Sequence, residues 1–203
     1  MIVNWPERIW VNSPLRRWIQ QKEARFFKKL RNLPTAGRCL EIGCGCGVGA
    51  KIINAAFTPA SIDALDIDPQ MINLARRQQK AWELERLRLL AGDAQYLPYR
   101  SASFDAVFNF GIVHHLEDWQ QGILEVARVL RPGGVFYFEE IYPPLYANPL
   151  FKYLLDHPRE NRFHGPEFRA HLSNCGLTLL PGYKESRFAI LGAATKENTG
   201  NFG

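Results

Sequence analysis

The sequence predicts an α/β chain: a doubly wound, mostly parallel sheet of seven strands whose last strand runs antiparallel. Three observations predict it. Strand-like and helix-like segments alternate about four times between Arg38 and Ile141, the pattern of a parallel sheet covered by helices on both faces. The segment Phe104–Phe110 is apolar on both faces, as a buried parallel strand requires. Two later apolar segments, Leu177–Tyr183 and Arg187–Thr195, can pair antiparallel around Lys184, Glu185 and Ser186.

Each element has its own signal. A helix is expected from Ser13 to Arg31, with Ser13 as N-cap and Pro14 at the first helical position. Leu15, Trp18, Ile19, Lys22, Phe26 and Leu30 recur at three- and four-residue spacing, which predicts the face that buries. Arg38–Ile42 reads as the first strand, and Val48–Phe57 as the helix behind a glycine run. Ser61–Ile67 is the second strand, and Pro69 opens a helix with Met71, Ile72, Leu74 and Ala75 on its inner side. Leu87–Ala91 and Phe104–Phe110 are the third and fourth strands. Trp119–Leu130 has helical period, Arg131-Pro132-Gly133-Gly134 breaks it, and Val135–Ile141 is the fifth strand. A proline-punctuated stretch follows, and a helix is expected over Pro166–Asn174.

Composition narrows the class. The chain has 203 residues, 46% hydrophobic and 22% charged, which excludes a disordered chain, a collagen and a disulfide mini-protein. No run of about 18 apolar residues is present, so no membrane span is expected. The first residues lack the basic-then-apolar pattern of a secretory signal, and a cytoplasmic location is expected. Cys39, Cys44 and Cys46 crowd together without the C-x2-C spacing of common zinc sites, so they read as reduced thiols and no metal is expected. The net charge of +5 belongs to one end: residues 1–35 carry eight Lys/Arg against Glu7 and Glu23. This basic segment can be a solvated helix face, a cover for the cleft, or a peripheral contact with an anionic membrane. Trp5, Trp10 and Trp18 share it.

The chemistry-bearing signal is Glu41-Ile42-Gly43-Cys44-Gly45-Cys46-Gly47, between a strand and a helix. Glycines there let the chain turn sharply and let a ligand touch the main chain, and the helix start presents free N–H groups. Read literally, Gly45-x-Gly47-x-x-Ala50 also fits a dinucleotide fingerprint. Asp66 ends the second strand, where a carboxylate can accept both hydroxyls of a ribose. Asp93, past the third strand, can reach an adenine amino group. Ligands of open α/β sheets bind at these carboxyl ends.

Five segments in order, LEIGCGCG (40–47), DIDPQMI (66–72), GDAQYLP (92–98), FDAVFNFGIVHHL (104–116) and VLRPGG (129–134), make the chain resemble the class I S-adenosylmethionine-dependent methyltransferases. The resemblance is nearest to the small-molecule branch that includes quinone-biosynthesis enzymes. It implies the Rossmann-like methyltransferase fold over residues 37–203. The basic amphipathic residues 1–36 are expected to form a cap region, and residues 142–165, which have no counterpart in the family pattern, a substrate-side insertion. The resemblance also implies S-adenosylmethionine as cofactor and a small-molecule or lipid-like acceptor, with nucleic acid disfavoured. By resemblance, Glu41, Gly43 and Gly45 line the methionine moiety, Asp66 holds the ribose with Ile67 against the adenine, Asp93 and Ala94 meet the adenine edge, and Asn109 and Gly111 face the sulfonium.

Methyl transfer needs alignment and exclusion of water more than it needs acid–base chemistry. A base is required only where the acceptor must lose a proton. His114, His115 and Glu140 are the candidates, with Glu139 beside them; strand alternation puts Glu139 and Glu140 on opposite faces. Two other activities fit parts of the pattern. An NAD-dependent oxidoreductase fits the glycine run but lacks a second domain of sufficient size. A nucleic-acid methyltransferase fits the basic end, but Asn109-Phe110-Gly111-Ile112 stands where base methylation favours an Asn/Asp-Pro-Pro-aromatic motif.

Overall fold

The structure is a computed structural model and describes residues 11–33, 36–79, 86–146 and 161–198. Its elements, in order, are α1 (Pro14–Leu30), β1 (Arg38–Ile42), α2 (Val48–Phe57), β2 (Ser61–Asp66), α3 (Pro69–Gln78), β3 (Leu87–Ala91), β4 (Phe104–Phe110), a 3-10 turn (Val113–His115), α4 (Trp119–Val129), β5 (Leu130–Ile141), α5 (Pro143–Tyr146), α6 (Gly165–Asn174), β6 (Leu177–Leu179), β7 (Lys184–Glu185) and β8 (Ala189–Lys196). The strand order is β3-β2-β1-β4-β5-β8-β6, with β7 also on β8. β1 to β5 are parallel, and β8 runs antiparallel to β5, β6 and β7.

The caps follow from the sequence. The Ser13 hydroxyl accepts from the Arg16 N–H at 3.1 Å, and Asp68 caps α3 through the Gln70 N–H at 2.8 Å. Alternation along the strands then divides the apolar residues between two cores. One face carries Leu40, Ile42, Val107, Phe136 and Phe138 against α4 and α6. The other carries Cys39, Ala64, Phe108 and Tyr137 against α1, α2 and α3.

The structure corrects four expectations. Lys184 and Glu185, read as a turn, form the short strand β7, because the exposed polar pair can still satisfy its backbone on β8. The Arg131–Gly134 break lies inside β5: the pairing with β4 shifts between Phe104 and Ala106, so the glycines are absorbed as a bulge. The expected face of α1 is only partly right: Phe26 and Leu30 pack against the core, but the start of the stripe does not. Leu15 and Trp18 are about half exposed, at 53% and 52%, while Arg16, Glu23, Ala24 and Phe27 are buried. Phe27 sits between the rings of Phe110 and Tyr137, with centroids at 5.9 and 5.5 Å. Leu74 of α3 likewise faces outward, while Ile72 and Ala75 are buried. Trp5, Trp10 and the greater part of the 142–165 insertion lie outside the described residues. No described helix is long and apolar enough to cross a membrane.

Candidate active site

The carboxyl ends of β1, β2 and β4 and the loop after β3 open onto one cleft of about 140 Å³. Glu41, Gly43 and Gly45 enter it from β1 and its loop, Asp66 and Ile67 from β2, Asp93 and Ala94 after β3, and Gly111, Ile112 and His115 after β4. Val11, Asn12, Arg16 and Gln20 close one side. The parallel register brings the acids together, since Ile42, Leu65 and Asn109 stand level across β1, β2 and β4.

Glu41 is the most constrained of these groups. It is buried, and Oε2 has no hydrogen-bond partner among the described residues. Burial, with Asp66 adding to it, pushes its carboxyl well above the ordinary value. A Cβ at Gly49 would fall 1.8 Å from Glu41 Oε1, so the absence of a side chain there gives the carboxylate its room. The Asp66 Oδ2 accepts from the Gly45 N–H at 2.7 Å, and Oδ1 from the Asp68 N–H at 2.9 Å. These bonds fix the glycine loop against β2 and leave further lone pairs on each oxygen. Burial raises the Asp66 pKa, and the two N–H bonds oppose the rise. Ile67 is 41% exposed at the rim.

The structure separates the three nominated acid–base groups. Only His115 lines the cleft. Glu140 is fully buried and points away from it. Its Oε1 accepts from Asn109 Nδ2 at 2.5 Å and the Val113 N–H at 2.8 Å, and its Oε2 meets His114 N at 3.1 Å and His114 Nδ1 at 2.6 Å. Asn109 also accepts from the Ile112 N–H at 2.9 Å, so its side chain belongs to this network and does not line the cleft. The reason is register: Asn109 pairs with Phe138, so it and Glu140 share the α4 face, opposite Glu41. Glu140 therefore shapes the loop that presents Gly111 and His115.

A pH dependence follows. Burial pushes the Glu140 carboxyl from 4.5 to about 7, and the His114 imidazole is held well below its usual range by the same burial. The folded state thus keeps a proton on this buried pair that the unfolded carboxyl releases near 4.5. Its stabilising contribution is full below about pH 4.5 and is lost as pH rises through about 7. Relative to Glu140→Gln, the wild type is expected to lose about 3 kcal/mol between pH 5 and 8. Denaturant unfolding across that range checks it; parallel curves for the two proteins contradict it.

Sequence reasoning missed Arg16. It is buried, and its guanidinium donates to Glu23 Oε1 at 2.8 Å, the Phe110 carbonyl at 2.9 Å and Glu139 Oε2 at 3.0 Å. It ties the start of α1 to the ends of β4 and β5, beside Gly111. Burial followed by Glu139 lifts the Glu23 pKa to about 7, against the pull of Arg16. The available signal was the seven-residue spacing of Arg16 and Glu23, which puts a cation and an acid on one helix face.

Fold and cleft together define an α/β domain whose cleft lies at the carboxyl ends of its strands, where open sheets of this kind bind their ligands. Residues 40–138, just under half of the chain, match the methyltransferase domain family. Among curated relatives the chain is 42% identical over 106 residues to a fatty-acid O-methyltransferase of Mycolicibacterium smegmatis and 40% identical over 106 residues to a phthiotriol/phenolphthiotriol dimycocerosates methyltransferase of Mycobacterium leprae. Each match covers 52% of this chain and 38% of the relative, so the chain spans well under half the length of either. A solved SAM-dependent methyltransferase from Aquifex aeolicus shares the fold, with a TM-score of 0.70 at 16% identity over 95% of this chain and 99% of that one.

Proposed function

We propose that the chain binds S-adenosylmethionine in this cleft and transfers its methyl group to a lipid-like small molecule. The observation that carries the reading is the buried Glu41 carboxylate, whose Oε2 lacks a partner among the described residues. Such a group calls for a ligand donor, and a cationic amino group beside it would favour its ionised form. Glu41 with the Gly43 and Gly45 backbone would hold the amino-acid part, Asp66 the ribose hydroxyls, Ile67 the adenine face, and Asp93 with Ala94 the adenine edge. Bound there, the cofactor supplies a methyl group already activated by its sulfonium. The chain has to orient the acceptor and exclude water.

A carboxylic acid acceptor is ionised near neutral pH and needs no base. A hydroxyl acceptor needs one, and His115 is the nominated base that reaches the cleft. The N-terminal segment supplies the cover. Its C-terminal half is fixed by Phe27, whereas Val11, Asn12, Arg16 and Gln20 stand over the cleft.

Incubation with S-adenosylmethionine carrying a deuterated methyl, plus a lipid extract, tests the acceptor class. Mass spectrometry is expected to find label in a lipid fraction and none with Glu41→Ala. Label confined to nucleic acid, or to no lipid at all, would overturn it.

A further inference from the structure

We propose that the outer face of α1 docks on an anionic lipid bilayer and sets the mouth of the cleft against the membrane. The proposal rests on the lipid-like acceptor for its purpose, but vesicle binding requires no turnover.

The face is defined by what α1 does not bury. Leu15, Trp18, Lys22, Arg25 and Lys29 follow one another at spacings of three and four, and all are exposed. The end nearer the cleft is apolar: Leu15 and Trp18 are 53% and 52% exposed, and the preceding Val11, a cleft residue, is 38% exposed. The remainder is basic. The helix has a single acid, Glu23, and it is buried against Arg16, so the exposed surface of α1 carries Arg17, Lys22, Arg25, Lys28 and Lys29 with no carboxylate among them. Lys22 Nζ lies 3.5 Å from the centroid of the Trp18 ring, leaving an aromatic surface with a cation beside it.

Charge complementarity commits the face to one occupant. A soluble helix usually intersperses both signs on its outward surface. Half-exposed Leu and Trp bordered by cations and no exposed acid of the helix match the requirements of an interfacial helix, in which the apolar residues enter the headgroup boundary and the cations meet anionic lipid. A second copy of this chain would bring the same cations against themselves. The basic groove between α1 and α2, lined by Arg17, Arg25 and Lys51 over Ala24 and Ile52, continues the positive surface.

The test is co-sedimentation of the full chain with vesicles of phosphatidylcholine alone or of phosphatidylcholine and phosphatidylglycerol at 7:3. Wild type is expected to bind the anionic vesicles at least tenfold better, with binding weakened by salt. Leu15→Ser with Trp18→Ser, and separately Arg25→Glu with Lys29→Glu, should each weaken that binding at least tenfold. Cofactor affinity, measured by calorimetry on the same variants, should stay within twofold. Equal binding to both vesicle types overturns the proposal, as does anionic-vesicle binding that survives both double variants. Wild type that stays in the supernatant and runs as a dimer dependent on Leu15 and Trp18 overturns it in favour of self-association. A chain that binds vesicles but labels no lipid sinks the acceptor reading alone.

Discussion

Arg16→Ala is expected to cost about 3–5 kcal/mol, the usual loss when one partner of a buried ion pair is removed. The guanidinium satisfies two carboxylates and one carbonyl, and both ion pairs are nearly closed to solvent, with side-chain exposures of 9% and 8% for Arg16–Glu23 and 9% and 16% for Arg16–Glu139. Removing it leaves Glu23 and Glu139 buried without their cation. In a domain of this size the loss corresponds to a fall in Tm of roughly 10 °C. Because Arg16 joins α1 to β4 and β5 over the cleft, hydrogen exchange in the first turns of α1 should rise more than in the sheet. Adding Glu23→Gln and Glu139→Gln should recover part of the loss, since no unpaired charge then remains. An unchanged Tm would show that the clamp is not holding α1.

Gly43→Ala is expected to destabilise the chain and the cleft together. The residue has φ +69°, where an alanine is disfavoured by about 1–2 kcal/mol. Its Cβ would lie 2.3 Å from Ile112 Cγ2. Ile112 cannot simply retreat, because its N–H is bonded to Asn109 and the next two residues are bonded to Glu140. Overpacking adds about 1–3 kcal/mol, and the displaced loop carries Gly111 and His115 away from the cleft. We expect a Tm lowered by several degrees and cofactor affinity reduced at least a hundredfold. Gly45→Ala is the control: at φ +51° it carries the same backbone penalty of about 1–2 kcal/mol, but its Cβ meets no atom within 4 Å, so it should lose less stability than Gly43→Ala. Gly43→Ala with wild-type Tm and affinity would contradict the packing described.

What could be read in the sequence follows from which signals survive without a register. The parallel strands were legible because burial on both faces makes them apolar throughout, and Ser13, Asp68 and Pro69 mark helix starts through local hydrogen bonding. Glu41, Asp66 and Asp93 were legible as a set because their places at the strand ends depend on chain order alone. Asn109, His114 and Glu140 were misplaced because alternation says that Glu139 and Glu140 diverge but not which of them shares a face with Glu41. Only the pairings Glu41↔Phe108 and Phe108↔Tyr137 decide it, in favour of Glu139. The face of α1 was legible at Phe26 and Leu30 but misread in its first turns, because hydrophobic spacing gives no weight to a cation, and the residue that orients this end of the helix is an arginine with partners 94 and 123 residues away.

The proposed cofactor binding centres on Asp66 and the cleft it lines. Calorimetric titration of S-adenosylmethionine into the wild type and Asp66→Ala tests it most directly. Asp66 ends β2 and is partly exposed, so the variant should fold, with an unchanged circular dichroism spectrum. One saturable site is expected in the wild type, with affinity about ten- to a hundredfold weaker in the variant, the worth of a lost hydrogen bond to a charged group. No heat of binding in the wild type, or the same dissociation constant in a folded Asp66→Ala, would contradict the assignment of this cleft to the cofactor.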